Sequence, residues 1–328
     1  MAMQISLFAD AGQGVGAGHI FRVYSVFRRL RAMGIASRMF VSLPEQELRG
    51  LGLLGVSSAP ADIADAISLL LSTRPVVALL DTYRDVPQWL DRLGSNSVLI
   101  GMFDDHFLID RPVAIIVNAN PEISVEDYAE ELATTYLLGP SFASLSEGFL
   151  RGRRPYVVRS IVSRVLLALG GDDSQGNLSA YVEATAAAFR HPIALQVVGS
   201  RSISLDVAAH VQLDFGWVNQ HQLVERMQSA DLAMIGGGSM ILQTSCIGIP
   251  TLCWPQDPKQ AQHALAWQAK GAVVVMSSLD DLANVVLDVM PEQRRRQLSE
   301  SARILVDGLG AQRIADCLLA TLGADHAN

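Results

Sequence analysis

The residues best suited to chemistry lie in loops that follow short apolar runs. The first loop is Asp10-Ala11-Gly12-Gln13-Gly14-Val15-Gly16-Ala17-Gly18-His19, and it continues into Ile20-Phe21-Arg22. Glycines let backbone N–H groups come close to a ligand, and a helix N-terminus favours an anion. The spacing is not the GxGxxG-plus-acid pattern of dinucleotide sites, and no Gly-Lys-Ser/Thr follows. Neither a nicotinamide cofactor nor a Walker-type phosphate loop is therefore expected. His19 stands where the loop meets the helix. Imidazole titrates near neutrality, a helix N-terminus favours its uncharged form, and an uncharged imidazole can act as a general base. The competing reading is a histidine that only caps the helix. Asp81-Thr82-Tyr83 follow the apolar run 76–80, where a polar triplet at a strand's carboxyl end would face a ligand. Helix capping by Asp81 or Thr82 is the plainer alternative. Asp104-Asp105-His106 bring two carboxylates and an imidazole together, as a divalent cation requires. Neighbouring residues on an extended segment point to opposite faces, so no metal site is expected there.

Two further loops lie in the second half, Leu169-Gly170-Gly171-Asp172-Asp173 and Ile235-Gly236-Gly237-Gly238-Ser239. The second opens an uncharged helix at Met240. It offers N–H groups, a hydroxyl and a helix N-terminus with no competing charge, which makes it the best anion site in the chain. A glycine turn needed only for close packing is the alternative. Gln243 lies one turn beyond Ser239 on the same helix face. Pro258-Lys259-Gln260 precedes another helix and supplies a cation and an amide.

The elements that must position these loops alternate apolar runs with amphipathic segments, the pattern of βα units in a parallel sheet. Strands are predicted at 4–9, 37–41, 76–80, 97–102 and 113–117, with a helix over 20–33. The second half predicts strands at 164–168, 193–198, 212–215, 232–235, 251–254 and 272–275. Helices fit at 178–189, 220–229, 239–247 and 260–269, and a last helical segment over 293–322 breaks near Gly308–Gly310. Residues 148–160, with Arg151, Arg153, Arg154, Pro155 and Arg159, read as a connecting segment. The expected organisation is α/β: two doubly wound halves, with ligands beyond the carboxyl ends of the strands in the cleft between them.

Composition narrows the function classes. The 328 residues fit two domains, and 50% hydrophobic against 18% charged excludes a disordered chain. A formal charge of -8 sets aside a general nucleic-acid binder. Cys246, Cys253 and Cys317 read as buried thiols of a reducing compartment. With no basic, apolar leader at the N-terminus, a cytoplasmic location is expected. Residues 232–256 carry no charge and are long enough to span a bilayer. Gly236-Gly237-Gly238, Gly248-Ile249-Pro250 and Pro255 interrupt them, so a strand, a turn and a buried helix are expected instead, with no stable membrane span.

Taken in order, the loops say more than any one of them. The series runs Gly16, Gly18, His19, Arg22; Asp81-Thr82-Tyr83; Asp104-Asp105; Leu138-Gly139-Pro140 with Phe142, Ala143, Leu145 and Phe149; Leu169-Gly170-Gly171-Asp172; Ala230-Asp231-Leu232-Ala233. It ends with Gly237-Gly238-Ser239, Cys246-Ile247-Gly248-Ile249-Pro250, Lys259-Gln260 and Asp307-Gly308-Leu309-Gly310-Ala311 with Arg313. This sequence resembles the nucleotide-sugar hydrolases of pseudaminic acid biosynthesis and the related spore-coat polysaccharide proteins, within the glycosyltransferase B (GT-B) superfamily that includes the lipid II synthase MurG. The resemblance implies two Rossmann-like domains facing a central cleft. The first would cover 1–150, a linker 151–160, the second 161–305, and a last helix over 306–328 would cross back to the first. It implies hydrolysis of a UDP-linked 2,4-diacetamido-2,4,6-trideoxy sugar at the anomeric carbon, with inversion, release of UDP and no metal or cofactor. His19 matches the histidine that activates or positions water, and Tyr83 matches a tyrosine near the sugar. Gly16, Gly18, Arg22, Asp81, Lys259 and Gln260 fall to the substrate. Gly171, Gly237, Gly238, Ser239 and Gln243 fall to the nucleotide. Two positions depart from the family pattern. Gln243 stands where a glutamate usually accepts bonds from the ribose hydroxyls, and charge-assisted bonds are roughly twice as strong. Lys259 stands where an asparagine usually helps form the active site, and lysine has no acceptor.

Three readings follow. The first is a hydrolase of a nucleotide-activated amino sugar. The second is a glycosyltransferase that uses a hydroxyl or amine acceptor in place of water. That reading would draw peripheral membrane contact from a basic, apolar patch such as Phe27-Arg28-Arg29-Leu30-Arg31. The third is a partner protein that has lost catalysis.

Overall fold

A computed structural model describes residues 4–11, 18–128, 132–153, 155–170, 176–199, 208–216 and 218–324. The chain forms two compact units, Met1–Ser146 with Gly308–Asn328, and Glu147–Asp307.

The first unit runs β1 (Ile5–Ala9), α1 (Gly18–Ala32), β2 (Ser37–Val41), α2 (Glu45–Gly50), β3 (Val56–Ser58), α3 (Ile63–Ser72), β4 (Val77–Asp81), α4 (Val86–Gly94), β5 (Leu99–Phe103), β6 (Val113–Asn118) and β7 (Ala133–Leu138). The strands pair in the order β3-β2-β1-β4-β5-β6-β7, all parallel. Parallel strands need crossover helices, which cover both faces, so the central strands β1 and β4 are buried throughout. In β1, Ile5, Leu7 and Ala9 join one core with Val23, Val26 and Leu30 of α1, whereas Phe8 joins the opposite core with Leu80, Trp89 and Leu93. Each large side chain removed from water stabilises by about 1.5–3 kcal/mol.

The second unit runs α5 (Glu147–Gly152), β8 (Arg164–Ala168), α6 (Leu178–Ala188), β9 (Ile193–Val198), β10 (Val211–Gly216), α7 (Gln220–Ser229), β11 (Leu232–Ile235), α8 (Met240–Ile247), β12 (Thr251–Cys253), α9 (Pro258–Ala269), β13 (Val274–Val275), α10 (Leu282–Val289) and α11 (Glu292–Leu305). Its parallel sheet reads β10-β9-β8-β11-β12-β13. The final helix, α12 (Gly310–Ala324), belongs to the first unit, where Ile314, Ala315 and Leu318 join the α1 core. Both sheets reverse their strand order at the same relative place, β1/β4 and β8/β11. Loops leaving the carboxyl ends there diverge and open a crevice.

The Arg-rich segment is more structured than a connector. Glu147–Gly152 is helical, and a Cβ on buried Gly152 would stand 2.5 Å from Val224 Cγ1. Beyond it, Arg159 pairs with the fully buried Asp231 at 2.6 Å. Asp231 also accepts the N–H groups of Ser163 and Arg164 at 2.8 and 2.9 Å, and the Tyr156 hydroxyl donates to the Ala230 carbonyl at 2.5 Å. The Ala230-Asp231-Leu232 motif therefore clamps the amino end of β11, away from the ligand-facing end. The uncharged stretch forms β11, α8 and β12, and among the described residues no helix is long and apolar enough to cross a membrane. Phe27 and Leu30 are 3% and 0% exposed. Residues 27–31 therefore turn their apolar side chains into the core and present arginines alone, which corrects the expected apolar patch.

Candidate functional site

In the first unit the loops after β1, β4 and β5 become neighbours because the sheet order is β2-β1-β4-β5. His19 lies at the start of α1 and Arg22 one turn further on. His19 Nδ1 lies 2.6 Å from Asp81 Oδ1. Arg22 donates from its Nη2 to the same oxygen at 2.8 Å and from Nε to Oδ2. Its Nη1 reaches Asp105 Oδ2 at 2.5 Å, and its guanidinium lies 4.6 Å from the Phe103 ring centroid. The Tyr83 hydroxyl donates to Asp105 at 3.3 Å, and its ring meets the His19 ring edge-on at a centroid distance of 4.7 Å. The His106 ring also meets Tyr83, tilted by 54° at a centroid distance of 4.6 Å.

The electrostatics follow from burial and pairing. Burial works against the Arg22 cation, but Asp105 and Asp81 overcome it and hold its pKa well above the ordinary value. Burial would raise the Asp105 carboxyl, yet Arg22 pulls it below the usual range. Burial pushes the Tyr83 phenol well up, so Tyr83 remains a proton donor. Asp81 side-chain exposure is 0% against 15% for His19. Asp81 thus sits behind His19, which is the more accessible of the two. The partners of Asp81 in the structure are His19 and Arg22. A carboxylate that accepts the Nδ1–H leaves Nε2 with its lone pair, the tautomer a general base needs.

A second polar knot lies at the same end of the sheet. Asp10 accepts Ser42 Oγ at 2.8 Å, Thr82 Oγ1 at 2.9 Å and Arg84 Nε at 2.6 Å. Burial opposes the charge on Asp10, and the Arg84, Ser42 and Thr82 bonds outweigh it and lower the carboxyl pKa. Asp104 turns the other way from Asp105 and accepts the N–H groups of Leu108 and Ile109 at 2.8 and 3.4 Å. The two adjacent carboxylates thus serve different partners. Among the described residues no three metal-ligating side chains gather. Gly18 opens α1, and Gly16 lies outside the described residues.

In the second unit the triple-glycine loop joins β11 to α8. The three glycines do different work. A Cβ on Gly236 would stand 2.9 Å from the Leu169 carbonyl oxygen, and one on Gly237 would stand 2.6 Å from that of Gln260. Gly238 faces open space. Close packing therefore explains the first two, and Gly238 is the position a ligand could approach. Gln260 Oε1 accepts the N–H groups of Gly237 and Gln256 at 3.0 and 3.2 Å. Gln260 thus fastens the loop and occupies the Gly237 N–H. His263 was missed in the sequence: its Nδ1 donates to the Gly237 carbonyl at 2.9 Å, and its Nε2 accepts from Trp267 at 3.1 Å. Its position three residues after Gln260 on α9 was the available signal.

Ser239 is exposed and its hydroxyl makes no capping bond. Ile241 and Leu242 donate back to the carbonyls of Gly238 and Ser239, both at 3.1 Å, leaving the first donors of α8 at the helix N-terminus. Gln243 Oε1 is buried without a hydrogen-bond partner. Lys259 is exposed in the first turn of α9. Gly171 lies outside the described residues.

No family model matches the chain. It is 26% identical to the spore coat polysaccharide biosynthesis protein SpsG of Bacillus subtilis (strain 168), over 96% of this chain and 98% of that protein. Its structure is similar to Acinetobacter baumannii MurG with a TM-score of 0.70 at 12% identity, over 96% of this chain and 98% of the other. It is also similar to the spinosyn forosaminyltransferase SpnP, with a TM-score of 0.69 at 13% identity over 100% of both chains. The chain thus has the GT-B fold of two Rossmann-like parallel-sheet domains and is similar along nearly its whole length to SpsG.

Proposed function

We propose that the protein is a nucleotide-sugar enzyme of polysaccharide biosynthesis. In this reading it hydrolyses a UDP-activated amino or deoxy sugar at the anomeric carbon. Water attacks that carbon as the bond to the diphosphate oxygen breaks. The water proton passes to His19 Nε2, and UDP leaves with the bonding electron pair. A single displacement of this kind inverts the anomeric configuration. The observation that carries the reading is the 2.6 Å contact between His19 Nδ1 and the fully buried Asp81, with Arg22 gripping both carboxylate oxygens. A histidine that only capped a helix would need no such support. Tyr83 packs edge-on against the imidazole and limits its rotation. In the second unit, the open Gly238, the Ser239 hydroxyl and the α8 N-terminus are suited to the charge that develops on the departing diphosphate. Lys259 adds a cation to that side.

The test is His19→Ala. Loss of a general base costs about a hundredfold or more in turnover, while UDP affinity should remain within a few-fold. An unchanged kcat would remove His19 from the reaction. A second reading, transfer to a non-water acceptor, is supported by the likeness to a forosaminyltransferase. UDP released only when an acceptor is present would favour it.

A further inference from the structure

On the first unit, at the edge of the sheet, a pocket of about 500 Å³ opens between the second half of α1, β2 and the start of β3. Its floor is the Phe27 ring, 3% exposed, and its wall carries Arg28 and Arg31 from α1 and Arg38 from β2. Ser37 and Ser57 add hydroxyls. β3 begins opposite Met39, so Ser37 and Arg38 have no strand partner on that side. Leu54, just before β3, donates its N–H to the Tyr24 hydroxyl at 3.1 Å, which ties the pocket's rim to α1. The three arginines are exposed, and none forms an ion pair with a described residue. Arg31 in the last turn of α1 could simply complement the helix dipole. Arg38 comes from a different element, and that explanation does not reach it.

We infer that this pocket binds a soluble, phosphate-bearing small molecule, independently of the reaction proposed above. Guanidinium forks match phosphate oxygens in pairs, and three arginines line one concavity of a chain whose net charge is -8. The volume suits a ligand up to nucleotide size, with an apolar face against the exposed Leu54. The pocket lies toward the amino ends of the strands, whereas His19 lies at the carboxyl ends, so it is a separate site. A lipid headgroup shares the phosphate chemistry. Of the neighbouring apolar residues, Phe27 and Leu30 are buried and Leu54 on the rim is 70% exposed, so binding to vesicles separates the two sources.

The test uses inorganic pyrophosphate as probe, with hydrogen exchange to localise binding and calorimetry to measure it. Protection is expected over 27–40 and 54–57, and it should disappear in Arg28→Gln/Arg31→Gln/Arg38→Gln while His19→Ala retains it. Each lost charge-assisted bond should weaken binding about tenfold. Should the triple variant misfold, Ser57→Glu places a carboxylate in the pocket and should abolish the same protection. Absence of protection in wild type, or protection that survives these variants, would overturn the inference. A second arm uses phosphatidylcholine vesicles with and without phosphatidylglycerol. Arginine-dependent vesicle binding without pyrophosphate binding would replace the soluble ligand with a lipid headgroup and so also overturn it.

Discussion

Asp81→Asn isolates the feature on which the catalytic reading depends. The wild-type carboxylate accepts His19 Nδ1 and Arg22 Nη2 on one oxygen and Arg22 Nε on the other. Asparagine keeps one acceptor and replaces the other with a donor. The low-energy arrangement keeps the oxygen toward Arg22 and turns the amide N–H toward His19 Nδ1. The imidazole proton then moves to Nε2, and the base is lost although every atom stays near its place. The loss should match that of removing the base itself, a fall in turnover of about a hundredfold or more, or about 2.7 kcal/mol or more. The fold should also weaken. Breaking a buried ion pair costs about 3–5 kcal/mol, and the lower end applies because Arg22 retains Asp105. In a unit of this size that is a drop of about 6–12 °C in Tm. The assay is single-turnover UDP release, run well below the melting range of both proteins. Asp81 and His19 act as one device, so Asp81→Asn/His19→Ala should be no slower than His19→Ala alone. An Asp81→Asn enzyme within tenfold of wild type, or a double variant showing the product of both losses, would refute the tautomer argument.

Four further outcomes follow from the same geometry. Gly237→Ala should lower stability by about 1–3 kcal/mol, because its Cβ meets the Gln260 carbonyl oxygen at 2.6 Å. Gly238→Ala should melt like wild type yet bind UDP more weakly, and thermal melts with and without UDP separate the two. Gln243→Glu should lower the Tm of the free protein, because it puts a charge where Oε1 already has no partner, and it should raise UDP affinity about tenfold if ribose hydroxyls meet that oxygen. For Asp231, burial opposes the charge, but the Ser163, Arg159 and Arg164 bonds outweigh it and hold the carboxyl below its ordinary 3.8. Its stabilising contribution is complete above that ordinary value and is lost as pH falls through the lower folded value. Asp231→Asn should therefore lower Tm at neutral pH and flatten its acid limb, measured by melts from pH 7 downward.

Much of the sheet scaffold was readable from apolar runs. The strands 37–41, 164–168, 193–198 and 232–235 have the same bounds in sequence and structure. β3 escaped because Val-Ser-Ser is three residues on an edge, and β7 because Ala-Thr-Thr-Tyr-Leu-Leu is a half-exposed edge strand without a clear apolar run. Tyr83 stood out as a polar residue just after a buried strand, and His19 and Arg22 as polar residues in the first turns of the helix that follows the glycine loop. The partnership of Asp81 with His19 was not, because the two residues are 62 positions apart and only the β1/β4 adjacency joins them. The same holds for Asp105 with Arg22, across 83 positions. The triple glycine looked like a single ligand loop. Packing against Leu169 and Gln260 leaves only Gly238 open, and that depends on strands that sequence spacing does not bring together.

The central claim is that His19, oriented by Asp81, activates water against a nucleotide-bound sugar. The most direct measurement incubates the purified protein with the UDP-linked 2,4-diacetamido-2,4,6-trideoxy sugar, without acceptor, in ¹⁸O-enriched water, and follows UDP and the anomeric proton by NMR. The account predicts UDP release, an inverted anomer carrying the ¹⁸O label as first product, and loss of both in His19→Ala. Equal release by wild type and His19→Ala, or release from wild type only after an acceptor is added, would contradict it.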